Sequence, residues 1–199
     1  MTAVDGKEIE LKFRLSGGPE AIRRRLNELG ATGGPSVREA DVYLDQPDGR
    51  LVAEGRVLRV RRDEAGCKVT YKGPPAPGTI FSERDEVEAR VADLEEILAV
   101  LAALGYRPVC RKEKDRQSFA FGEVTVCVDR LPFLGHYLEI EGPRRAIARA
   151  AAQLGLDLAA GTNRPYLELY LNHWRDRGVE PGEAPEMLFA EEEGRRDDG

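Results

Sequence analysis

The sequence predicts an α+β fold in which a closed antiparallel β-barrel has a charged lumen and is covered by helices. Its strand-like segments alternate apolar and polar residues with a period of two, as strands with unlike faces do. On at least six of these segments the polar face is almost entirely Arg, Lys, Asp and Glu. The helix-like segments carry apolar stripes that suit the opposite face. A barrel with its charged face inward accommodates all three observations.

The first half of the chain contains one predicted helix among four predicted strands. The helix covers residues 16–30, where Pro19 suits a first helical position and Gly30 a C-terminal stop. The strands cover residues 7–15, 37–45, 56–63 and 67–73. Turn residues separate the strands, and the Pro-rich stretch 74–78 breaks the chain near its middle.

The second half repeats this order. A predicted strand at 80–91 leads into a predicted helix at 92–104, which Gly105 ends. Further strands are predicted at 107–121, 124–130 and 136–142, and further helices at 143–154 and 165–174. The recurrence of strand, helix and three strands predicts an internal two-fold repeat.

The last residues, 175–199, form a polar tail that contains Pro and Gly. This composition favours disorder or loose docking. Within it, the apolar residues 187–189, Met-Leu-Phe, are predicted to form a small anchor onto the rest of the protein.

Composition excludes several classes of protein. The 199 residues are 41% hydrophobic and 33% charged, and no run of about 18 apolar residues predicts a membrane span. The N-terminus lacks the apolar segment of a signal peptide, and the three cysteines show no zinc-binding spacing. We therefore expect a cytoplasmic protein with reduced, buried thiols. A net charge of −6 argues against nucleic-acid binding, while the basic clusters 56–62 and 110–116 indicate a focused anion site.

The charged faces predict a ligand. Arg and Lys at alternate strand positions can hold phosphate oxygens from several sides. Clustered carboxylates cannot all ionise at close range without cations, and a hard divalent metal with oxygen ligands resolves this repulsion. The clustered acids are Glu8, Glu10, Asp129, Glu139 and Glu141. A metal-bound polyphosphate satisfies both sets of charges.

Eight ordered segments resemble the CYTH, or triphosphate tunnel metalloenzyme, superfamily. The first, EIELK at 8–12, resembles its ExExK signature, and seven further segments follow in the family's order. They are DVYLDQP (41–47), LRVRR (58–62), VTYKGP (69–74), RDEVE (84–88), EKDR (113–116), VDRLPFLGHYLEIEG (128–142) and PYLELYL (165–171), where Pro165 replaces a usual Ser. The resemblance assigns residues 1–174 to a CYTH domain and 175–199 to a tail.

This resemblance implies an eight-stranded antiparallel tunnel that binds a triphosphate. It implies that Mg²⁺ or Mn²⁺ is bound by Glu8 and Glu10 with Glu139, Glu141 and Asp129. It implies that phosphates are held by Lys12, Arg59, Arg61, Lys72, Arg84, Lys114 and Arg116. Glu86 and Glu88 would brace these cations or join a second metal site. Lys112 matches less well, so an outward, pairing role is equally open.

The reaction stays open at this point. The resemblance is closer to the class IV adenylyl cyclases, which convert ATP to cyclic AMP and pyrophosphate, and it implies a homodimer. Triphosphatases that hydrolyse tripolyphosphate, thiamine triphosphate or a nucleotide are the alternative, and a non-catalytic polyphosphate- or nucleotide-binding module is a third. Neither His136 nor His173 occupies a clear base position. Proton removal is therefore expected to fall to a metal-bound hydroxyl or water, or to Lys12 with a lowered pKa.

Overall fold

The computed structural model describes residues 6–180 and 183–190. Its eight strands are β1 (Gly6–Arg14), β2 (Thr32–Asp45), β3 (Val57–Asp63), β4 (Gly66–Lys72), β5 (Ser82–Val91), β6 (Arg107–Phe121), β7 (Val124–Leu131) and β8 (Gly135–Glu141). Its helices are α1 (Glu20–Glu28), α2 (Arg50–Ala53), α3 (Leu94–Ala103), α4 (Arg144–Gln153) and α5 (Tyr166–Arg175). One turn of 3₁₀-helix, Leu158–Ala160, precedes α5.

The strands form the predicted closed barrel. Their order around the ring is β1-β5-β4-β3-β2-β6-β7-β8, and every neighbouring pair is antiparallel. Exchanging β1–β4 with β5–β8 reproduces the same ring read in the opposite direction. The two-fold repeat predicted from the order of elements is therefore present in the topology.

Helices cover the apolar outer face of the barrel, as predicted. Against β1, β7 and β8, the helices α1 and α4 bury a large cluster that includes Leu11, Leu26 and Ile147. Against β2 and β3, α3 buries a smaller cluster that includes Val60 and Leu101. Since both clusters lie outside the ring, the opposite faces of these strands point into the lumen.

Two boundaries differ from the prediction. Strand β2 begins five residues earlier than expected, because glycines and a proline at 33–35 disfavour a strand in sequence but here form an irregular, bulged end. At Gly33 a Cβ would lie 2.6 Å from the Phe119 ring, so this close approach requires glycine. Helix α1 is shorter than predicted, and Pro19 caps it rather than occupying its first turn.

The tail docks where the sequence predicts an anchor. Met187 is fully buried among Leu134, Tyr137 and Tyr170, on the side of α5 that faces the β7–β8 turn. Its backbone N–H donates to the carbonyl of Arg111 at 3.1 Å, and its carbonyl accepts from Glu113 at 2.8 Å. The segment thus pairs with the first part of β6, on the edge that β7 leaves unpaired before Asp115. Residues 181–182 and 191–199 of the predicted tail lie outside the described residues.

In the described ranges, no helix combines the length and apolar character that crossing a membrane requires. Cys127 is buried, as expected, whereas Cys67 and Cys110 are half-buried, and all three are free thiols.

Candidate active site

The barrel lumen contains a cavity of about 980 Å³. Pockets for small organic ligands span roughly 300–1,000 Å³, so this one is large enough for a nucleotide. All but one of the predicted site residues line it, namely Glu8, Glu10, Lys12, Arg59, Arg61, Lys72, Arg84, Glu86, Glu88, Lys114, Arg116, Glu139 and Glu141. The exception is Asp129. The strand period thus brings together residues from six strands, as the sequence indicates.

A cluster of carboxylates forms where β1 and β8 pair. Glu10 lies directly opposite Glu141, and Lys12 lies opposite Glu139. Burial, together with the neighbouring carboxylates, raises the pKa of Glu141 to about 7 and also raises that of Glu10. Among the described residues, Glu141 has no cation within ion-pair distance. Glu10 contacts the Lys12 ammonium, so within the described residues Glu141 is the acid of this cluster whose charge no cation relieves.

The other two predicted metal ligands of this cluster, Glu8 and Glu139, also contact cations. Glu8 accepts from Lys72 at 2.6 Å, and Lys72 also lies 3.1 Å from Glu86. Glu139 accepts from Arg116 at 2.6 Å and lies 3.4 Å from the Lys12 ammonium. Each of these pairs neutralises one carboxylate in the absence of any other cation.

The donor set suits a hard divalent cation. Across residues 6–180 and 183–190, no three His, Cys, Asp or Glu side chains stand ready as a preformed metal cluster. Instead Glu8, Glu10 and Glu139 are bonded to lysine or arginine, and metal binding requires that they exchange those partners. The chemistry fits all the same, since carboxylate oxygens are the donors that Mg²⁺ and Mn²⁺ select, and a bound cation would relieve the repulsion that raises the pKa values of Glu10 and Glu141.

Two predicted phosphate ligands have unused donors. Arg84 is only 7% exposed, and within the described part of the chain it has no carboxylate within ion-pair distance. Its Nη1 donates to the backbone carbonyls of Gly55 at 2.6 Å and Gly73 at 3.3 Å, which fixes the guanidinium in place. Arg59 has a buried Nε without a hydrogen-bond partner. Buried donors of this kind cost free energy unless an anion satisfies them.

Asp41 organises a third part of the lumen that the sequence analysis assigned no role. It accepts two hydrogen bonds from Arg61, at 2.6 and 2.9 Å, and lies 2.9 Å from the Lys112 ammonium. Burial opposes its ionisation, but Lys112, Arg59 and Arg61 outweigh burial and hold the pKa of Asp41 well below its usual value. Lys112 therefore points into the lumen and not outward, and it pairs there with Asp41, while a phosphate-binding role for it stays a prediction.

The second acid of the DVYLD segment has a different purpose. Asp45 accepts hydrogen bonds from the backbone N–H groups of Gln46 at 2.7 Å, Leu51 at 2.9 Å and Val52 at 3.0 Å. It therefore closes the turn into the short helix α2, an element that the sequence analysis did not predict. Alternation alone could not separate Asp45 from Asp41, because both occupy the same strand face.

Asp129 lies beneath the cavity wall and not on it. It is fully buried, and its oxygens accept from Arg116 at 2.7 Å twice, from Lys114 at 3.3 Å and from the Tyr166 hydroxyl at 2.9 Å. Glu39, also unassigned by sequence, lies 2.6 Å from Arg61 and 3.2 Å from Lys114. Both acids therefore fix the positions of lysine and arginine side chains that line the lumen.

The expectation of a lowered pKa at Lys12 is wrong. Burial does lower the pKa of this lysine, but Glu10 and Glu139 reverse the effect and raise it above the ordinary value. The lysine with a lowered pKa is Lys114, because burial and the adjacent Arg116 both disfavour its charge. A catalytic role for Lys12 stays a prediction. Neither His136 nor His173 lines the cavity.

Comparisons with known proteins agree with this geometry. The CYTH domain matches residues 6–162. The chain is 30% identical over 180 residues to adenylate cyclase CyaB of Aeromonas hydrophila, covering 81% of this chain and 87% of that protein. A solved "putative adenylate cyclase" from Vibrio parahaemolyticus is 25% identical, with a TM-score of 0.72 over 83% of this chain and 98% of that one.

A more distant structure shares the fold. A protein from Hippeastrum with a dominant triphosphatase activity is 15% identical, with a TM-score of 0.63 over 89% of this chain and 100% of that one. The domain match spans most of the present chain, and the closed eight-stranded ring with a charged lumen accompanies it. This chain, which resembles a relative named as an adenylate cyclase and shares its fold with a protein that has triphosphatase activity, therefore belongs to the CYTH domain family.

Proposed function

We propose that this protein is a divalent-metal-dependent enzyme that acts on a triphosphate-bearing substrate, and that its reaction is the conversion of ATP to cyclic AMP and pyrophosphate. The observation that carries the proposal is the division of one cavity into two kinds of charge. Cations with unused donors, Arg84 and Arg59, share the lumen with two acids, the buried Glu10 and the partly buried Glu141. A metal-bound polyphosphate would satisfy both.

The number and spread of the cations favour a phosphate chain over a single phosphate. They project from five strands around the lumen, namely β1, β3, β4, β5 and β6, and so come from both repeats. Point charges from lysine and forked donors from arginine can contact phosphate oxygens from several directions at once. Phosphoryl transfer depends mainly on such positioning and charge stabilisation, so the chain has no need of a covalent nucleophile.

The cavity wall also favours an organic group attached to the phosphates. Part of the wall is apolar or aromatic, and it includes Tyr43, Leu44, Val109, Leu167 and Leu171. A bare polyphosphate makes no use of such surface, whereas a nucleoside can bury a base against it. Together with the likeness to CyaB, this feature supports a nucleotide substrate.

In the proposed cyclisation, the ribose 3′-hydroxyl loses its proton to water and its oxygen bonds to the α-phosphorus. The bond from that phosphorus to the bridging oxygen breaks, and pyrophosphate leaves with the bonding electrons. Lys12, Arg59, Arg61, Lys72, Arg84, Lys114 and Arg116 hold the triphosphate. Glu8, Glu10, Glu139 and Glu141 hold the metal, which supplies Lewis-acid charge at the phosphate oxygens when bound. We assign Asp129 a bracing role, because all its contacts are already made within the protein. Glu86 and Glu88 brace Lys72 and Lys68.

Triphosphate hydrolysis is the second candidate. The cation set holds a triphosphate whichever phosphorus is attacked, so water could displace the terminal phosphoryl group in the same lumen. A binding module without catalysis is the third, and it leaves the clustered acids Glu10 and Glu141 without a role.

Product analysis separates these functions. The protein is incubated with Mg²⁺ or Mn²⁺ and either ATP or tripolyphosphate, with a Glu141→Gln variant as the matched inactive control. Cyclic AMP with equimolar pyrophosphate supports the cyclase, and orthophosphate without cyclic AMP supports the hydrolase. Tight binding of both ligands without any product supports the module. The absence of both ligand binding and turnover would overturn the proposal.

A further inference from the structure

We infer that Tyr166 is a positioning residue that holds three lumen lysines in place, two of which, Lys12 and Lys114, are proposed phosphate ligands. This inference rests on the proposed function, because it deepens the description of the same site. Tyr166 is the first residue of α5, is 5% exposed, and lines the cavity.

Three ammonium groups from two strands converge on the Tyr166 ring. The distances from its centroid to the Nζ atoms are 5.3 Å for Lys12, 5.7 Å for Lys112 and 5.6 Å for Lys114. Each lies within the range of about 6 Å in which the negative face of an aromatic ring attracts a cation. The ring therefore stabilises three like charges at close quarters without adding a formal negative charge that would repel phosphate.

Two contacts fix the Tyr166 ring itself, one to another aromatic ring and one through its hydroxyl. Tyr137 packs against it edge-on, with centroids 5.5 Å apart and planes at 78°. Its hydroxyl donates to Asp129 Oδ2 at 2.9 Å, the same carboxylate that binds Lys114 and Arg116. A side chain fixed at both its face and its hydroxyl can impose a position on its neighbours.

The backbone before α5 sets the approach of Tyr166 to the lumen. Thr162 and Lys12 exchange two backbone hydrogen bonds, at 3.0 and 2.8 Å, so the segment leading into α5 runs beside β1 at the position of Lys12. The Asn163 side chain donates to the Thr79 carbonyl at 2.9 Å. Pro165 then caps α5 in an extended conformation and directs its first side chain inward.

The chain offers a matched control one turn further along α5. Tyr170 is also buried, at 1% exposed, and belongs to the same aromatic cluster. Its hydroxyl donates to the Pro185 carbonyl in the tail, and it does not line the cavity. Replacing either tyrosine with leucine removes a similar buried ring, but only Tyr166 faces the lysines.

Two measurements test the inference. In spectra of protein labelled with ¹³C-lysine, the ring should shift lysine ε-methylene protons upfield in the wild type and in Tyr166→Phe, and Tyr166→Leu should abolish the shifts. Tripolyphosphate binding is measured by calorimetric titration, once in the presence of Mg²⁺ and once in EDTA. Tyr166→Leu should bind tripolyphosphate about tenfold more weakly than the wild type. Tyr166→Phe should stay within about threefold of the wild type, since it keeps the ring. Tyr170→Leu should lower the melting temperature and leave binding unchanged.

The outcomes are distinct from those of the proposed function. Wild-type binding by Tyr166→Leu, or an equal loss in Tyr166→Phe, would overturn the inference, as would equal losses in the two leucine variants. If the wild type itself fails to bind tripolyphosphate, the proposed function fails. The lysine spectra then still decide whether the ring holds the ammonium groups.

Discussion

Glu10 and Glu141 face each other across β1 and β8, and their pKa values are both raised by burial and by neighbouring carboxylates. An acid whose pKa is raised on folding destabilises the folded state when it is ionised. We therefore expect Glu141→Gln to abolish turnover while leaving the melting temperature in EDTA unchanged or higher. Glu10→Gln should behave in the same way. Thermal unfolding with and without Mg²⁺ checks this, because the variants should also lose any stabilisation by the metal. A large loss of stability in EDTA would show that the acids are structural.

Arg84 tests the phosphate side of the site. It is buried, held by two backbone carbonyls, and free of ion pairs within the described residues. Arg84→Gln should raise KM for the triphosphate about 10- to 100-fold, the effect of losing a charge-assisted hydrogen bond, with little change in melting temperature. Arg144→Gln is the control, since Arg144 pairs with Glu83 outside the lumen. An unchanged KM would remove Arg84 from the proposed phosphate site.

Asp41 and Asp45 separate two roles within one short segment. Asp41→Asn leaves Arg61 and Lys112 without their shared charge partner, and breaking a buried pair in this way costs about 3–5 kcal/mol. Asp45→Ala loses only backbone hydrogen bonds at the start of α2, at about 1–2 kcal/mol. Denaturant unfolding should rank the two variants in that order. Equal losses would contradict the network centred on Asp41.

The sequence predicted the barrel and nearly all of its lumen, because strand period alone decides which face each side chain occupies. It could not predict how the charges pair, since pairing depends on registry between strands distant in the chain. Asp41 and Glu39 were missed for that reason, although both lie on the predicted inner face of β2. Tyr166 was missed because helical period in PYLELYL says nothing about which residue enters a barrel. The prediction of a lowered pKa for Lys12 was wrong, because the adjacent acids outweigh the effect of burial on this lysine.

Glu39 makes stability depend on pH. Its pKa is lowered to about 2, because Lys114, Arg116 and Arg61 outweigh the effect of burial. A carboxylate with a lowered pKa stabilises the fold above its unfolded pKa, and this contribution is lost as pH falls towards the folded value. The free energy of unfolding of the wild type should therefore exceed that of Glu39→Gln by on the order of 3 kcal/mol near neutral pH. Denaturant titrations between about pH 4.5 and pH 2 should show the difference shrinking. The exposed Glu28→Gln serves as control, and a constant difference would contradict the ion pairs of Glu39.

The docked tail should contribute to stability through one residue. Met187 is fully buried, whereas the adjacent Leu188 is only partly buried. Met187→Ala should cost about 2–5 kcal/mol, the usual range for truncating a buried methionine. Leu188→Ala, the neighbouring control, should cost less. Equal effects, or none, would show that the tail does not pack in solution as described.

The central claim is that this lumen cyclises ATP with a divalent metal. The most direct measurement is product identification by ³¹P NMR and chromatography after incubation of the wild type with ATP and Mg²⁺ or Mn²⁺. The account predicts cyclic AMP and pyrophosphate in equal amounts, with neither formed by Glu141→Gln. Orthophosphate and ADP without cyclic AMP would contradict cyclisation in favour of hydrolysis, and intact ATP with both metals would contradict the claim that the protein is an enzyme for this substrate.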